Sequence, residues 1–157
     1  MKSLALFRHA KTEPNSATGR DFDRALTDRG QSDAERIGAE IQRLGLRFEL
    51  VLASPARRSV ETAERAGISS PRFNERIYDA PPGQLLELVR NVDDGVERLM
   101  MVGHNPGFER LASRLAGNDI EMPTGSLILI DLPIERWADA DQENGRLVRF
   151  ITPMELA

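Results

Sequence analysis

The chain has only two histidines, and each comes just after a short apolar run. His9 stands two positions after the run Leu4–Phe7, and His104 stands two positions after Leu99–Val102. Such a run is too short for a helix and is typical of a strand buried on both faces. Ligands of open α/β sheets bind at the carboxyl ends of the strands. Both imidazoles are therefore expected at that edge, as catalytic groups or as packing residues.

Arginines accompany the histidines. Arg8 directly precedes His9, while Arg57 and Arg58 fall in the first turn of a helix predicted to begin at Ser54–Pro55. A cation in a first turn opposes the helix dipole, so it either indicates an anionic ligand or is an ordinary surface arginine. A guanidinium holds phosphoryl oxygens bidentately and stays charged at physiological pH. The combination predicts a metal-free phosphate site at which a neutral imidazole could attack phosphorus.

The elements that must position these residues are visible in the pattern. Phe48–Ala53 predicts a strand leading into the arginine-bearing helix. Asn105 and Pro106 predict the N-cap and first residue of another helix, whose free N–H groups would face the same edge. Leu127–Leu132 and Arg146–Ile151 predict an antiparallel pair that makes the sheet mixed.

Two further helices complete the pattern. Thr27 predicts the N-cap of one that stops near Gly45, and a second is predicted over Gln84–Val92. Strands that alternate with helices predict an α/β fold, here a three-layer α/β/α sandwich with a mostly parallel mixed sheet. A length of 157 residues predicts a single domain over residues 1–157.

Three segments carry a resemblance to a known family. Arg8–Ala10, Ser54–Thr62 and Val102–Gly107 resemble, in this order, the signature segments of the histidine phosphatase superfamily, the phosphoglycerate mutase-like proteins. The short chain and its Gly-His-Asn-Pro-Gly sequence are similar to the small SixA-like phosphohistidine phosphatases. The likeness extends from Leu4 to about Leu115. It implies a phosphoglycerate mutase-like fold and a phosphatase that needs no cofactor or metal.

The residues that the resemblance implies for the catalytic centre are His9, Arg8, Arg58 and His104. The first would be the nucleophile that becomes phosphohistidine, the two arginines would clamp the phosphoryl group, and His104 would hydrogen-bond it from the opposite side. Arg58 is preferred to Arg57 because the family's arginine stands four residues before the threonine matched here by Thr62. Arg57 is expected to face solvent.

Other positions match the family less closely. Asn15 and Thr12 are candidates for substrate binding, although an Asn after a proline is also an ordinary loop residue. The glutamate that protonates the leaving group in larger members has no clear match. Asp79 lies in the corresponding part of the chain and is either that proton donor or a loop aspartate. Ala10 stands where glycine is commoner, which would be costly if the backbone there required a positive φ.

Composition narrows the function further. A net charge of −4 and a pI near 5.3 argue against a general nucleic-acid binder, so positive charge would have to be focused in a pocket. The absence of cysteine excludes cysteine-based phosphatases, thiolate zinc sites and disulfide scaffolds. The first apolar run is too short for a signal peptide and no apolar stretch is long enough to span a membrane, so we expect a cytoplasmic protein without a membrane partner.

The expected function is thus hydrolysis of protein phosphohistidine, since a labile phosphoramidate needs less help from an acid than a sugar phosphate does. Three alternatives remain: a phosphatase or mutase of a small phosphorylated metabolite, a non-catalytic phosphate-binding module, and a metal hydrolase. The last is disfavoured because neither histidine has a helical ligand spacing. Asp21–Asp23 resembles the paired aspartates of magnesium-dependent phosphatases, but those follow an apolar strand and Thr18–Arg20 is not one. The oligomeric state is left open.

Overall fold

The central strands of the sheet are the segments with continuous apolar sequence. A computed structural model describes residues 1–157 and contains six strands. These are β1 Lys2–Arg8, β2 Leu50–Ala53, β3 Arg72–Phe73, β4 Arg98–Gly103, β5 Leu127–Leu132 and β6 Arg146–Ile151. Their order is β3-β2-β4-β1-β5-β6. The first four in this order are parallel, and β5 pairs antiparallel with both β1 and β6, which confirms the predicted mixed sheet.

Four helices cover the two faces of the sheet. They are α1 Asp28–Arg43, α2 Arg57–Arg65, α3 Pro82–Arg90 and α4 Gly107–Ala116. Because successive strand residues point to opposite faces, Leu4 and Leu6 pack into a core with α3 and α4, whereas Ala5 and Phe7 pack into a second core on the α1 side. The predicted three-layer α/β/α arrangement is confirmed. None of the helices is both long and apolar enough to cross a membrane.

Capping explains the limits of α1. The Thr27 hydroxyl accepts a hydrogen bond from the Gly30 N–H at 2.9 Å, as predicted for an N-cap. The helix ends at Arg43, and Gly45 follows with a φ of +68°, a conformation that glycine adopts without strain. Helix α3 spans Pro82–Arg90, so it begins and ends two residues earlier than predicted.

Helices α2 and α4 begin later than predicted. Ser54 is not the N-cap of α2, because the helix starts only at Arg57 and the serine side chain lies against His104 instead. Helix α4 starts at Gly107, one residue after Pro106. The Asn105 side chain still accepts a hydrogen bond from a backbone N–H of the first turn, at 3.2 Å, although it stands outside the assigned cap position.

Candidate active site

His9 lies immediately beyond the carboxyl end of β1 and is only 8% exposed. Its backbone N–H donates to the Gly103 carbonyl at 3.0 Å, and its own carbonyl accepts from the Gly125 N–H at 2.8 Å. The ring Nδ1 is 2.8 Å from the Ala10 carbonyl oxygen. A carbonyl can only accept, so Nδ1 carries the proton and the lone pair of a neutral ring is on Nε2. Backbone pairing thus fixes both the position and the tautomer of this imidazole.

The surroundings of His9 keep it uncharged. Its pKa is lowered to about 4, chiefly because burial penalises the charged ring; the Ala10 hydrogen bond acts in the opposite direction, and the positive charges of Arg58, Arg8 and Arg24 lower the pKa further. At neutral pH the side chain is therefore a neutral imidazole with an available lone pair, which is the form that acts as a nucleophile.

His104 follows the end of β4, and its ring centre is 5.4 Å from that of His9. It is 6% exposed, and the Tyr78 ring packs edge-on against it at 5.5 Å. Nε2 is 2.7 Å from the Ser54 hydroxyl, whereas Nδ1 is buried without a hydrogen-bond partner. Burial, followed by the charge of Arg58, lowers the pKa of His104 to about 3. This second ring is also neutral at physiological pH.

The two adjacent arginines of α2 have different environments. Arg58 is 8% exposed and donates through Nη1 to the Asp21 carbonyl at 2.8 Å and through Nη2 to the Asp21 carboxylate at 3.0 Å. Arg57 is exposed and pairs with Glu61 at 3.2 Å, as expected for a residue facing solvent. The first turn of α2 therefore directs one arginine inward and the other outward.

A buried threonine joins α2 to the segment that follows β1. The Thr62 hydroxyl donates to the Arg58 carbonyl at 2.7 Å and accepts from the Ala10 N–H at 3.0 Å. Ala10 itself does not adopt a positive φ, so alanine is accommodated without backbone strain. The Thr62 side chain consequently bridges the Arg58 segment and the His9 segment.

Arg8 is the last residue of β1, and its guanidinium contacts the loop between α4 and β5. Its Nη1 donates to the Met122 carbonyl at 2.7 Å, and its Nε is buried without a partner. Burial lowers the pKa of Arg8, and the negative charge of Glu109 partly offsets this effect. Glu109 in turn accepts from Asn105 and from the Met122 N–H, at 2.9 and 3.1 Å. Helix α4 thereby supports the loop that holds the Arg8 guanidinium.

Asp21, Arg24 and Tyr78 take part in this site, and sequence reasoning assigned none of them to it. The Asp21 carboxylate accepts hydrogen bonds from Tyr78 at 2.7 Å and from Arg24 at 2.9 Å, in addition to Arg58. The Tyr78 hydroxyl and then the arginines hold the pKa of Asp21 far below its usual range. The sequence connected Asp21 only with the paired aspartates of magnesium-dependent phosphatases. No sequence signal singled out Tyr78.

The remaining predicted site residues are Thr12, Asn15 and Asp79, and they differ in how they relate to the two histidines and Arg58. Thr12 accepts a hydrogen bond from Arg24 at 2.5 Å, which connects it to the cluster. Asn15 is exposed in the loop and its side chain makes no hydrogen bond, so the structure does not join it to the cluster. Asp79 is exposed with a φ of +53° and lines a cavity of about 180 Å³ together with His104 and Arg110.

The assembled groups favour chemistry on a phosphoryl group. A neutral imidazole with a free Nε2 lies among arginines whose charge reaches it, beside a second neutral imidazole. Guanidinium groups stabilise the equatorial oxygens of a transferring phosphoryl group. No group of three or more histidine, cysteine, aspartate or glutamate side chains is placed to hold a metal ion.

Known proteins are similar to this chain in sequence and in fold. An uncharacterized protein of Mycobacterium tuberculosis is 33% identical over 158 residues, covering 93% of this chain and 99% of that protein. A SixA protein of Nakamurella multipartitia, described as a candidate phosphohistidine phosphatase, superposes with a TM-score of 0.87 at 25% identity, over 97% of this chain and 96% of that one. Its counterpart from Agrobacterium tumefaciens gives 0.84 at 27% identity, over 97% and 98% of the two chains. The family model of the histidine phosphatase superfamily, branch 1, matches residues 4–100, and this chain belongs to that superfamily.

Proposed function

We propose that the protein is a phosphatase that works through a covalent phosphohistidine on His9 and acts on phosphohistidine in proteins. One observation carries the proposal: the buried His9 ring is neutral, and its Nδ1 is bonded to the Ala10 carbonyl, which leaves Nε2 as the nucleophilic atom. Arg8 and Arg58 would bind the phosphoryl oxygens. The two SixA proteins described above as candidate phosphohistidine phosphatases support the substrate class.

The reaction has two steps. Nε2 of His9 attacks phosphorus in line, the bond from phosphorus to the leaving group breaks, and the leaving group takes the electron pair. The arginines stabilise the negative charge on the three equatorial oxygens. In the second step water attacks phosphorus from the vacated side, the bond to Nε2 breaks, and inorganic phosphate leaves. The hydrogen bond from Nδ1 to Ala10 persists throughout and keeps the ring oriented.

The acidic groups of the site favour a labile substrate. Asp21 is held ionised by Tyr78 and the arginines, so it has no proton to donate at neutral pH. Asp79 is exposed beside the cavity next to His104 and is the proposed proton donor if one is needed. An alkoxide leaving group depends strongly on a general acid, whereas the imidazole of phosphohistidine depends on it less. The site therefore suits a phosphoramidate better than a sugar phosphate.

A small phosphorylated metabolite is the second candidate. The cavity beside His104 and the exposed Arg110 could hold an anionic leaving group. Its volume of about 180 Å³ is below the roughly 300 Å³ at which small-molecule pockets usually begin, which favours a protein substrate that stays outside.

The test compares turnover of a phosphohistidine protein with turnover of a panel of sugar phosphates, in the presence of a chelator. We expect hydrolysis of the phosphohistidine protein, a phosphorylated His9 peptide in rapidly quenched samples, and no hydrolysis by a folded His9→Ala variant. Full turnover by that variant would remove the mechanism. A preference for sugar phosphates would establish the metabolite phosphatase, and phosphate binding without turnover would establish a binding module.

A further inference from the structure

Ser54, at the carboxyl end of β2, contacts the second imidazole of the site. The residue is fully buried, and its hydroxyl oxygen is 2.7 Å from Nε2 of His104. The same oxygen accepts a hydrogen bond from the Ala56 N–H at 3.2 Å. These are the only hydrogen bonds of the Ser54 side chain, so its hydroxyl proton has one acceptor within reach, the Nε2 atom. The Ser54 hydroxyl can therefore donate only to Nε2 of His104.

The direction of this hydrogen bond decides where the proton of the neutral ring lies. If Nε2 carried a proton and donated it, the buried Ser54 hydroxyl would have no acceptor and Nδ1 would be a buried acceptor without a donor. If Ser54 donates, its hydroxyl and Nε2 are both satisfied, and the ring proton is on Nδ1. Nδ1 has no partner in either arrangement, so the difference between them is the Ser54 hydroxyl, which is paired only when it donates. Leaving a buried polar group unpaired costs about 1–3 kcal/mol, so the second arrangement is favoured. Ser59, whose hydroxyl is 3.5 Å from the same Nε2, is at the limit of a hydrogen bond.

A phosphoryl oxygen needs a donor. It can only accept hydrogen bonds. In the free protein the ring carries a single proton near neutral pH, because burial lowers the pKa of His104 to about 3. Nε2 already faces Ser54, so the one ring atom left to meet a phosphoryl oxygen is Nδ1. Nδ1 can donate a hydrogen bond to a phosphoryl oxygen only when it carries the ring proton.

We propose that Ser54 is a positioning residue that donates its hydroxyl proton to Nε2 and so holds His104 as the Nδ1–H tautomer, the form that donates to the phosphoryl group. This inference rests on the proposed function for its phosphoryl partner, but the tautomer itself does not depend on activity. Ser54 acts on the reaction only through the imidazole and does not contact substrate.

The first test measures the tautomer directly in the unaltered protein. Long-range ¹H–¹⁵N correlation spectra distinguish a protonated from an unprotonated ring nitrogen, and the chain has only two histidines to assign. We expect His104 protonated on Nδ1 at pH 7. His9 is an internal comparison, because the Ala10 carbonyl holds its proton on Nδ1 as well. A His104 ring protonated on Nε2 would overturn the proposal, whatever the activity of the protein.

The second test distinguishes a positioning role of Ser54 from the effect of removing any buried hydroxyl near His104. Ser54→Ala is expected to lower kcat about 10- to 100-fold with a smaller change in KM, which is less than the roughly 10²- to 10³-fold loss on deleting a transition-state donor outright. Ser59→Ala removes a buried hydroxyl next to the same ring and serves as the matched control. We expect it to change kcat by less than about threefold, since that contact is long.

A double variant completes the test. If Ser54 works only through His104, then adding Ser54→Ala to His104→Ala has little further effect, within about threefold. Independent and multiplicative losses would contradict the positioning role. If the parent protein hydrolyses no phosphorylated substrate at all, the proposed function fails, and the tautomer measured by NMR still decides the role of Ser54.

Discussion

Burial dominates the protonation of the two histidines. Desolvation is the largest influence on the pKa of each ring, and the nearby arginines act in the same direction. For His9, only the hydrogen bond to Ala10 opposes them. Both rings are therefore neutral at physiological pH, and the Ala10 carbonyl keeps the His9 proton on Nδ1. In the proposed mechanism one ring is the nucleophile and the other a hydrogen-bond donor, because their hydrogen-bond partners differ.

At this scale the two arginines of α2 provide a matched pair for mutation. Arg58→Ala is expected to lower kcat/KM by at least about 100-fold, because it removes a buried guanidinium proposed to bind the phosphoryl group. Arg57→Ala removes the same side chain one position earlier, where it is exposed and paired with Glu61. It should change kcat/KM by less than about threefold, since surface ion pairs contribute little.

Steady-state kinetics on a phosphohistidine protein measure both variants. Arg58→Lys keeps the charge but not the planar fork, so it should recover only part of the loss. Equal effects of the two alanine variants would exclude a special role for Arg58.

At the scale of elements, the site depends on strand ends and on the first turns of helices. Helix α2 is tied to β1 through Thr62 and to the loop before α1 through Glu61, whose carboxylate accepts from the Leu26 N–H at 2.7 Å. That loop contains Asp21 and Arg24, and its Asp21 carboxylate accepts hydrogen bonds from both Arg24 and Arg58. Glu61 and Thr62 therefore fix the positions of α2, the segment after β1 and the loop before α1 relative to one another.

The start of α4 offers a test of such a junction. A Cβ on Gly107 would lie 2.2 Å from the Ala80 carbonyl oxygen, so α4 and the segment before α3 approach as closely as they do only because this residue has no side chain. Gly107→Ala should lower the free energy of unfolding by about 1–3 kcal/mol, as overpacking does. Denaturant unfolding measures the change.

Gly83 in α3 is the control for that prediction. A Cβ there has no neighbour within 4 Å, so Gly83→Ala should be neutral or stabilising by up to about 1 kcal/mol, as expected from the helix propensity of alanine. A Gly107→Ala protein as stable as the parent would show that this close approach is not needed.

For the whole molecule, charge is distributed unevenly. The net charge is −4, yet Arg8, Arg24 and Arg58 all act on His9. The positive charge is focused at one edge of the sheet, as expected for an anion-binding site on an acidic protein. Asp21 and Glu109 partly balance it.

Burying two neutral histidines makes stability depend on pH. Their pKa values in the folded protein, about 4 and 3, lie below the ordinary value of 6.5. Between about pH 6.5 and 4 the unfolded chain therefore binds more protons than the folded one, and acidification favours unfolding. The contribution of the two histidines to the free energy of unfolding should be constant above about pH 7.5 and should fall below pH 6.5, by on the order of 2–3 kcal/mol per histidine at pH 4.5. Denaturant titrations at several pH values measure it.

An NMR titration of the same protein tests the cause. Neither imidazole should titrate between pH 8 and pH 5, and a midpoint near 6.5 for either ring would contradict the assignment. The pKa of Asp21 is also lowered, but this residue contributes to acid unfolding only below about pH 4. It therefore does not affect the free energy of unfolding between pH 6.5 and 4.5.

Sequence patterns within short windows predicted much of the secondary structure and the sheet type of this protein. Apolar runs predicted the strands that end at the two histidines, the Thr27 cap predicted the start of α1, and the antiparallel final pair predicted the mixed sheet. These features are readable because hydrophobic period and capping are local properties of the chain. The resemblance to a family then singled out Arg58 in preference to Arg57.

Only the tertiary structure decided the contacts between distant segments. Asp21 meets Arg58 and Tyr78 across 37 and 57 positions, and Ser54 meets His104 across 50. The late start of α2 belongs with these contacts, because Ser54 pairs with an imidazole where a cap was expected. Such pairings depend on how loops pack over the sheet and on which rotamer each buried side chain adopts. Neither quantity is encoded in any short window of sequence.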